Sequence, residues 1–318
     1  MSAARSSTGI GTIATADAEG YRGRFAPSPT GALHFGSLTA ALGSYLEART
    51  RRGTWSLRIE NIDGTREVPG AADLIVRTLD AFGFEWDGPI VYQSHRSARY
   101  VAALDGLARA GCVYECSCSR SEIEAGQGSA FATDELRYPG TCRSAPLHPD
   151  RPLATRFRPP AGQVRFVDGL QGEVAQDVQR DVGDFVVRRR DGYFAYQLAV
   201  VVDDADLGTT QVVRGADLLE NTPRQILLQQ ALGLKVPAYA HLPLAVDDFG
   251  AKLSKSSQSV PIDASQAGAV LWQALGFLKQ SPPGSLARAP LAELWPWAFG
   301  HWDLSRLRGI KTGAAPAP

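Results

Sequence analysis

Segments with strand-like and helix-like patterns alternate along the first third of the chain. Each short apolar strand is followed by a segment with helical periodicity. The strands are predicted at 23–26, 54–59 and 90–92, and the helices at 33–49, 70–83 and 97–111. Parallel strands need a helical crossover between them, so this alternation is typical of a parallel sheet covered by helices. The predicted fold class is therefore α/β, with a doubly wound parallel sheet.

The alternation is interrupted between residues 114 and 185 by proline, glycine and cysteine, with short β-like pieces at 154–158 and 163–168. We interpret this stretch as an insertion between two halves of one nucleotide-binding fold. The second half resumes with β-like segments at 184–188, 195–202 and 210–214, followed by a helix at 222–233.

The chain of 318 residues is long enough for about two domains. Further helical stretches are predicted at 264–279 and 291–308. The predicted divisions are a disordered extension at 1–20, a first half at 21–113, the insertion at 114–185, a second half at 186–245 and a helical C-terminal region at 246–318.

The first predicted strand runs into a loop that resembles an anion site. Pro27, Pro29 and Gly31 separate this strand from the helix that begins near residue 33. A helix N-terminus presents unpaired N–H groups and the positive end of its dipole, so it favours phosphate. His34 can donate a hydrogen bond to a phosphate oxygen, and Gly36 leaves room for a flat base.

Two of the five lysines in the chain lie in the pentad Lys252-Leu253-Ser254-Lys255-Ser256. Lysine offers a compact, mobile charge where arginine offers a fixed fork. A phosphate that changes geometry during a reaction is stabilised by such a charge. Ligands of doubly wound sheets bind at the carboxyl ends of the strands, where strand order reverses, so we expect His34 and Lys255 to meet there.

The formal net charge is +0, so a nucleic-acid partner would have to contact locally concentrated positive charge. Candidates are the arginines at 49, 51 and 52 and the triplet 188–190. No run of 18 apolar residues occurs, which predicts no membrane span. The N-terminus has no apolar stretch of signal-peptide length, so a cytoplasmic location is expected.

All four cysteines lie between residues 112 and 142. The spacing suggests one structural zinc ion, with Cys116 and Cys118 in a short knuckle and Cys142 in a distant return strand. Cys112 lies in an apolar stretch and is interpreted as a core residue. Either Cys112 or His148 remains open as a further ligand.

His34-Phe35-Gly36-Ser37 and Lys252-Leu253-Ser254-Lys255-Ser256 resemble the HIGH and KMSKS motifs of class I aminoacyl-tRNA synthetases. Further segments resemble the glutamyl and glutaminyl branch in the same order and with similar spacing: Arg58-Ile59-Glu60-Asn61-Ile62-Asp63, Gln93-Ser94-His95-Arg96, Val202-Asp203-Asp204 and Val213-Arg214-Gly215-Ala216-Asp217. The resemblance covers roughly residues 21 to 260. Asn61 departs from the aspartate that is usual in the first of these segments.

The resemblance implies a Rossmann-type catalytic domain that joins an amino acid to the α-phosphate of ATP. His34 and Lys255 would be the catalytic residues, and Mg²⁺ would be bound mainly by the nucleotide phosphates. ATP would be held by His34, Gly36, Ser37, Lys252 and Lys255, and glutamate by Arg24, Phe25, Ala26, Pro27, Ser28, Glu60, Tyr196 and Arg214. A second cation beside the side chain would favour glutamate over glutamine, whose amide leaves a guanidinium unneutralised.

Only 62 residues follow Ser256, too few for the helical anticodon-binding domain of a full glutamyl-tRNA synthetase. With the cysteine cluster, this shortness resembles the truncated glutamyl-queuosine tRNA(Asp) synthetases. That resemblance implies Tyr138 as the fourth zinc ligand. It also implies tRNA-independent activation of L-glutamate and its transfer to queuosine at the wobble position of tRNA(Asp), by a monomer.

Three alternatives remain open from the sequence. A minimal glutamyl-tRNA synthetase would charge the 3′ end of tRNA(Glu). A non-catalytic tRNA-binding module would be expected to lack catalytic residues, yet the catalytic residue types are present. A nucleotidyltransferase with the same phosphate site would leave the amino-acid residues without a role.

Overall fold

The computed structural model describes residues 20–127, 137–247, 250 and 260–316. The predicted extension at 1–20 lies outside the described residues except for Gly20, and so does the whole lysine pentad at 252–256.

The described elements follow the alternation predicted from the sequence. The strands are β1 Arg22–Phe25, β2 Thr54–Ile59, β3 Val91–Tyr92, β4 Val113–Cys116, β5 Ala154–Phe157, β6 Val164–Asp168, β7 Gly172–Gln176, β8 Phe185–Arg188, β9 Gln211–Gly215, β10 Ala238–Leu242, β11 Leu244–Val246 and β12 Thr312–Ala314. The helices are α1 Phe35–Thr50, α2 Ala71–Ala81, α3 Ser97–Arg109, α4 Arg120–Gln127, α5 Val178–Asp181, α6 Tyr196–Asp206, α7 Thr222–Ala231, α8 Ala267–Phe277 and α9 Leu291–His301.

The central sheet is parallel and is assembled from two sets of strands. β1, β2 and β3 pair in that order, while β9 and β6 flank β10, all in parallel. The two sets meet where Thr210 donates a backbone hydrogen bond of 2.9 Å to the carbonyl of Arg22. Strand order therefore reverses between β1 and β9, and the carboxyl ends of these strands open onto one crevice.

Helices cover both faces of this sheet. Consecutive residues of β9, Val212 and Val213, belong to different hydrophobic cores, as the alternation of side chains along a strand requires. One core contains α1, α2, α8 and α9, and the other contains α3, α6 and α7. The parallel sheet with helices on both faces confirms this part of the predicted fold.

Helix α1 is buried on nearly all sides because the C-terminal helices cover the face that points away from the sheet. Tyr45 of α1 packs edge-on against Trp295 of α9, with ring centroids 5.2 Å apart. On the sheet side, a Cβ on Gly43 would lie only 2.6 Å from a methyl group of Leu242. The residues after the lysine pentad therefore complete the core around α1.

Three predicted segments differ from the structure. The segment 195–202, predicted as β-like, lies in α6, where Leu198, Val200 and Val201 are all buried. The strand predicted at 184–188 forms, but it pairs with β5 in an antiparallel sheet of β4, β5 and β8. The helix predicted at 291–308 ends at His301 and is followed by a short 3-10 turn.

The stretch interpreted as an insertion contributes to two sheets. β4 and β5 form the separate antiparallel sheet with β8. The β6–β7 hairpin instead joins the edge of the main sheet through β10. Within the part of the chain that the structure describes, no helix combines the length and apolar character needed to cross a membrane.

Candidate functional site

A cavity of about 770 Å³ opens at the crevice between β1 and β9. Eleven of the residues singled out from the sequence line it: Arg24, Phe25, Ala26, Pro27, Ser28, His34, Gly36, Ser37, Glu60, Tyr196 and Arg214. They come from the ends of β1, β2 and β9 and from the starts of α1 and α6. The fold therefore brings the two predicted groups of residues, for phosphate and for amino acid, to one cavity.

The N-terminus of α1 forms the phosphate-favouring end of this cavity. The backbone N–H of Ser37 donates to Nδ1 of His34 over 3.3 Å, and the backbone N–H of His34 donates to the Ser37 hydroxyl over 3.1 Å. These reciprocal bonds form a capping box. A neutral imidazole that accepts at Nδ1 carries its proton on Nε2, so His34 can act as a hydrogen-bond donor there.

Gly36 permits the close approach of this imidazole. A Cβ at position 36 would lie 3.1 Å from Cε1 and 3.2 Å from Nδ1 of His34. The glycine thus keeps the His34 ring against the first turn of the helix. The close neighbour is thus a side chain of the same motif, and the predicted room for a flat base at Gly36 stays a prediction.

Lys252 and Lys255 lie outside the described residues, but the chain on both sides of their segment is described. Leu244 and Ala245 precede the segment and Pro261 follows it, and all three line the cavity. Pro261 also forms a backbone bridge with His34, and the N–H of Ile262 donates to the carbonyl of Leu33 over 3.0 Å. The segment that carries both lysines therefore starts and ends at the cavity.

Arg24 and Glu60 line the opposite wall, and Arg58 and Asp204 lie behind them. Arg24 contacts both carboxylate oxygens of Asp204, at 3.1 and 3.4 Å. Arg58 donates to Asp204 over 2.6 Å and to Glu60 over 3.0 Å. The charge of Arg24, which the sequence assigned to a substrate carboxylate, is already balanced by Asp204.

Glu60 presents a carboxylate in the cavity wall. Burial raises its pKa, while the Arg58 guanidinium and then Arg24 act in the opposite direction. Of these neighbours, Arg58 also binds Asp204, so its positive charge is shared between Asp204 and Glu60. Glu60 is thus placed to bind a cation from the cavity when it is ionised.

Arg214 differs from the other two arginines because its described partners are all uncharged. Its Nε donates to Nε2 of His241 over 3.1 Å. Its terminal nitrogens donate to Tyr196 over 3.4 Å, to the Thr222 hydroxyl over 2.9 Å and to the Leu218 carbonyl over 3.3 Å. A guanidinium that is 5% exposed, faces a cavity and has no carboxylate partner among the described residues is suited to bind an anion.

The sequence interpretation missed the residues that support this wall. Asp204 lies in one of the motif segments, but the sequence does not indicate that it pairs with both Arg24 and Arg58. His241 and Asp168 were not noted at all. A histidine at a buried position of the apolar strand β10 was the one available signal for this pair.

Asn61 makes two hydrogen bonds to Ser94. Its amide nitrogen donates to the Ser94 hydroxyl over 2.9 Å, and its carbonyl oxygen accepts the Ser94 backbone N–H over 3.0 Å. The departure from the family motif therefore connects the end of β2 to the segment after β3.

Three buried thiols form a second candidate site. The Sγ atoms of Cys116, Cys118 and Cys142 all lie within 4.8 Å of one another. The Tyr138 oxygen is 3.3 Å from the Cys116 sulfur and 3.5 Å from the Cys118 sulfur. Four donors around a tetrahedral Zn²⁺, with Zn–S bonds of about 2.3 Å, would lie about 3.8 Å apart, so this donor set fits zinc.

Cys112 and His148 lie outside this group. The Cys112 thiol is directed to the carbonyl of Ala110, and Nε2 of His148 is 3.2 Å from Glu122. Burial raises the pKa of the Cys118 thiol to about 11. A bound Zn²⁺ would stabilise the thiolate form and reverse that shift.

Most of the arginines proposed for nucleic acid are engaged within the chain. Arg49 pairs with Asp87 at 2.7 Å, and Arg51 pairs with Glu47 at 2.6 Å. In the triplet, Arg189 pairs with Asp63 at 2.6 Å, and Arg190 donates to the carbonyl of Ser117. These pairs reduce the positive charge that either group offers to a phosphate backbone.

Comparison with known proteins assigns the chain to one family. The family model for the catalytic domain of class I (E and Q) tRNA synthetases matches residues 21–272. A glutamyl-Q tRNA(Asp) synthetase from Dechloromonas aromatica is 57% identical over 89% of this chain and 94% of its own length. One from Ectopseudomonas mendocina is 52% identical, over 92% of this chain and 96% of its own.

Solved structures support the same assignment. A glutamate tRNA ligase from Elizabethkingia meningosepticum, in complex with its amino acid, superposes with a TM-score of 0.73 at 26% identity, covering 93% of this chain and 67% of its own. A glutamate-tRNA synthetase from Elizabethkingia anophelis shares the fold, with a TM-score of 0.76 at 24% identity, covering 92% of this chain and 68% of its own. The chain belongs to the class I glutamyl and glutaminyl tRNA synthetase family, within its glutamyl-Q tRNA(Asp) synthetase branch.

Proposed function

We propose that the protein activates L-glutamate with ATP, without needing tRNA, and transfers the glutamyl group to the queuosine base at the wobble position of tRNA(Asp). The observation that carries this proposal is one cavity that joins a helix N-terminus to a buried guanidinium whose hydrogen-bond partners among the described residues are uncharged. The names and the identity of the relatives over about nine tenths of the chain support the same reaction. The protein would act as a monomer in the cytoplasm, where its tRNA is found.

The amino-acid end of the cavity suits a dicarboxylic substrate. Glu60 would bind the ammonium group, and Arg214 would bind the side-chain carboxylate. Arg24, balanced by Asp204, would act as a hydrogen-bond donor in the wall. Phe25, Ala26, Pro27, Ser28 and Tyr196 would shape the pocket around the substrate.

The other end of the cavity suits ATP. His34 would donate from Nε2 to a phosphate oxygen, while Gly36 and Ser37 form the first turn that faces the nucleotide. Lys255, with Lys252, would neutralise charge that develops as pyrophosphate leaves, since their segment starts and ends at this cavity. Mg²⁺ would accompany the ATP phosphates.

The acceptor is tested by offering radiolabelled glutamate and ATP to three RNAs: tRNA(Asp) with queuosine, tRNA(Asp) without it, and tRNA(Glu). We expect label only on the queuosine-bearing tRNA, and glutamate-dependent ATP–pyrophosphate exchange with no tRNA present. Label on the 3′ end of tRNA(Glu) would instead support a minimal glutamyl-tRNA synthetase. Absence of both exchange and transfer would contradict enzymatic activity.

Glutamate activation should weaken at acid pH because Glu60 would bind the substrate ammonium only when ionised. Burial raises the Glu60 pKa above its usual value of 4.5, so the protonated fraction at a given acid pH is larger than for an exposed glutamate. We expect KM for glutamate to rise as pH falls from about 7 to about 5. The Glu60→Gln variant should show a high KM with little pH dependence; a wild-type KM that stays flat would remove this role.

The purified protein should contain about one zinc per chain, held by Cys116, Cys118, Cys142 and Tyr138. The ion would be structural, joining the end of β4 to the return segment near residue 142. Cys118→Ser should lose the metal, whereas Cys112→Ser, a thiol outside the group, should retain it. Metal analysis of the three proteins tests this, and a folded wild type without zinc would contradict it.

A further inference from the structure

A buried chain of hydrogen bonds connects Arg214 to a carboxylate behind the cavity wall. Asp168 Oδ2 lies 2.6 Å from Nδ1 of His241, and Nε2 of His241 accepts from Nε of Arg214 over 3.1 Å. Asp168 is 2% exposed and His241 is fully buried. Neither Asp168 nor His241 lines the cavity, whereas Arg214, which His241 contacts, does.

The environment of Asp168 fixes the tautomer of His241. Oδ1 of Asp168 accepts backbone N–H groups from Leu170, Gln171 and His241, at 3.0, 2.9 and 3.1 Å. The remaining oxygen can only accept, so Nδ1 of His241 carries the proton and Nε2 carries a lone pair. Burial lowers the pKa of His241 while the hydrogen bond to Asp168 acts in the opposite direction, and the net lowering favours the neutral imidazole.

A neutral acceptor at this position preserves the charge of Arg214. Arg24 and Arg58 contact Asp204 directly, and their charge is balanced within the wall. At Arg214 the imidazole separates the guanidinium from Asp168, while its lone pair still orients Nε. The outward edge of the guanidinium is therefore fixed in direction and keeps its positive charge.

We propose that His241 and Asp168 are positioning residues that hold Arg214 as an oriented cation, hydrogen-bonded only to uncharged groups among the described residues, and so set the preference for a dicarboxylic amino acid over its amide. This inference rests on the proposed function. It assigns selectivity to two residues that do not touch the substrate.

The Asp168→Asn variant tests the tautomer directly. The three backbone N–H groups would hold the amide oxygen in place of Oδ1, which turns the NH₂ group toward Nδ1 of His241. Nδ1 would then have to accept, and the proton would move to Nε2, where it opposes the Nε–H of Arg214. Both groups would be donors, so the guanidinium would lose its orientation.

We expect KM for glutamate to rise about 10- to 100-fold in Asp168→Asn, as for a lost hydrogen bond to a charged group. kcat should change little, because the side-chain carboxylate lies away from the reacting carboxylate and is bound equally before and during reaction. The ratio of kcat/KM for glutamate to kcat/KM for glutamine should fall. Exchange kinetics with both amino acids measure these effects.

Two comparisons separate positioning from general stability. Asp184→Asn removes another buried aspartate, which pairs with Arg143 and does not line the cavity. It should leave KM for glutamate unchanged. His241→Gln, which can still accept from Arg214, should retain more selectivity than His241→Leu.

The protonation of His241 in the wild type provides a test that needs no variant. ¹⁵N NMR of histidine-labelled protein should show His241 as the neutral Nδ1–H form. A doubly protonated or Nε2–H ring would overturn the proposal, as would equal KM values for Asp168→Asn and Asp184→Asn. A wild type with no glutamate-dependent exchange would overturn the proposed function instead.

Discussion

Replacing Arg214 by glutamine is expected to lower kcat/KM for glutamate activation by about a thousandfold, or ~4 kcal/mol. The variant removes the buried cation whose described partners are all neutral. A substrate carboxylate would then enter the cavity without a compensating charge, at a large desolvation cost. Because glutamine carries no such charge, its activation should change far less, and the preference for glutamate should fall.

Pyrophosphate exchange with glutamate and glutamine measures this effect. Arg214→Lys should give an intermediate loss, since the charge remains but the planar guanidinium that His241 and Thr222 hold in place is gone. Arg180→Gln removes an exposed arginine that pairs with Asp181 and should leave both activities unchanged. If Arg214→Gln kept its wild-type preference for glutamate, another cation would have to bind the substrate side chain.

Elements with a clear period could be predicted closely from the sequence. β2 occupies Thr54–Ile59, as predicted, because its alternate residues Trp55, Leu57 and Ile59 enter one core. The predicted helix at 97–111 is observed at Ser97–Arg109, a difference only at its end. In both elements a single buried face imposes the sequence pattern that identifies it.

Helix α6 shows where this reasoning failed. Its run of Val200, Val201 and Val202 favours a strand by local propensity, and the helix is buried on nearly every side. A helix without a polar face has no helical period to detect. Helix α1 is also buried on nearly all sides, but its helical periodicity and its position after a Pro/Gly loop both predict it from the sequence.

The sequence could predict which segments meet at the candidate site, but it could not predict which arginine pairs with which carboxylate there. A strand–loop–helix motif and a later strand end are expected to meet at the point where strand order reverses. Which carboxylate balances which arginine depends on contacts such as Arg24 with Asp204, 180 residues apart. The sequence therefore indicated two arginines for substrate carboxylates, and the structure leaves Arg214 without a carboxylate partner among the described residues.

Arg58→Met is expected to lower the free energy of unfolding by about 3–5 kcal/mol. Arg58 is fully buried and contacts Asp204 at 2.6 Å, Glu60 at 3.0 Å and Asp203 at 3.8 Å. Methionine fills a similar volume but leaves these carboxylates with less positive charge. Arg24 still pairs with Asp204. The destabilisation should therefore come mainly from Glu60, which loses its ion pair with Arg58, and from the more negative net charge of the buried group.

The pH dependence of this loss identifies its electrostatic origin. Arg24 and Arg58 lower the pKa of Asp204, so in the wild type this carboxylate stabilises the fold above its unfolded pKa and loses that effect as pH falls. Without Arg58 the carboxylates of Asp204 and Glu60 would protonate more readily, and the deficit should be larger at pH 7 than near pH 5. Urea denaturation at both pH values measures it, with the exposed Arg77→Met as control, expected within about 0.5 kcal/mol of wild type. A deficit independent of pH would assign the loss to packing and not to charge.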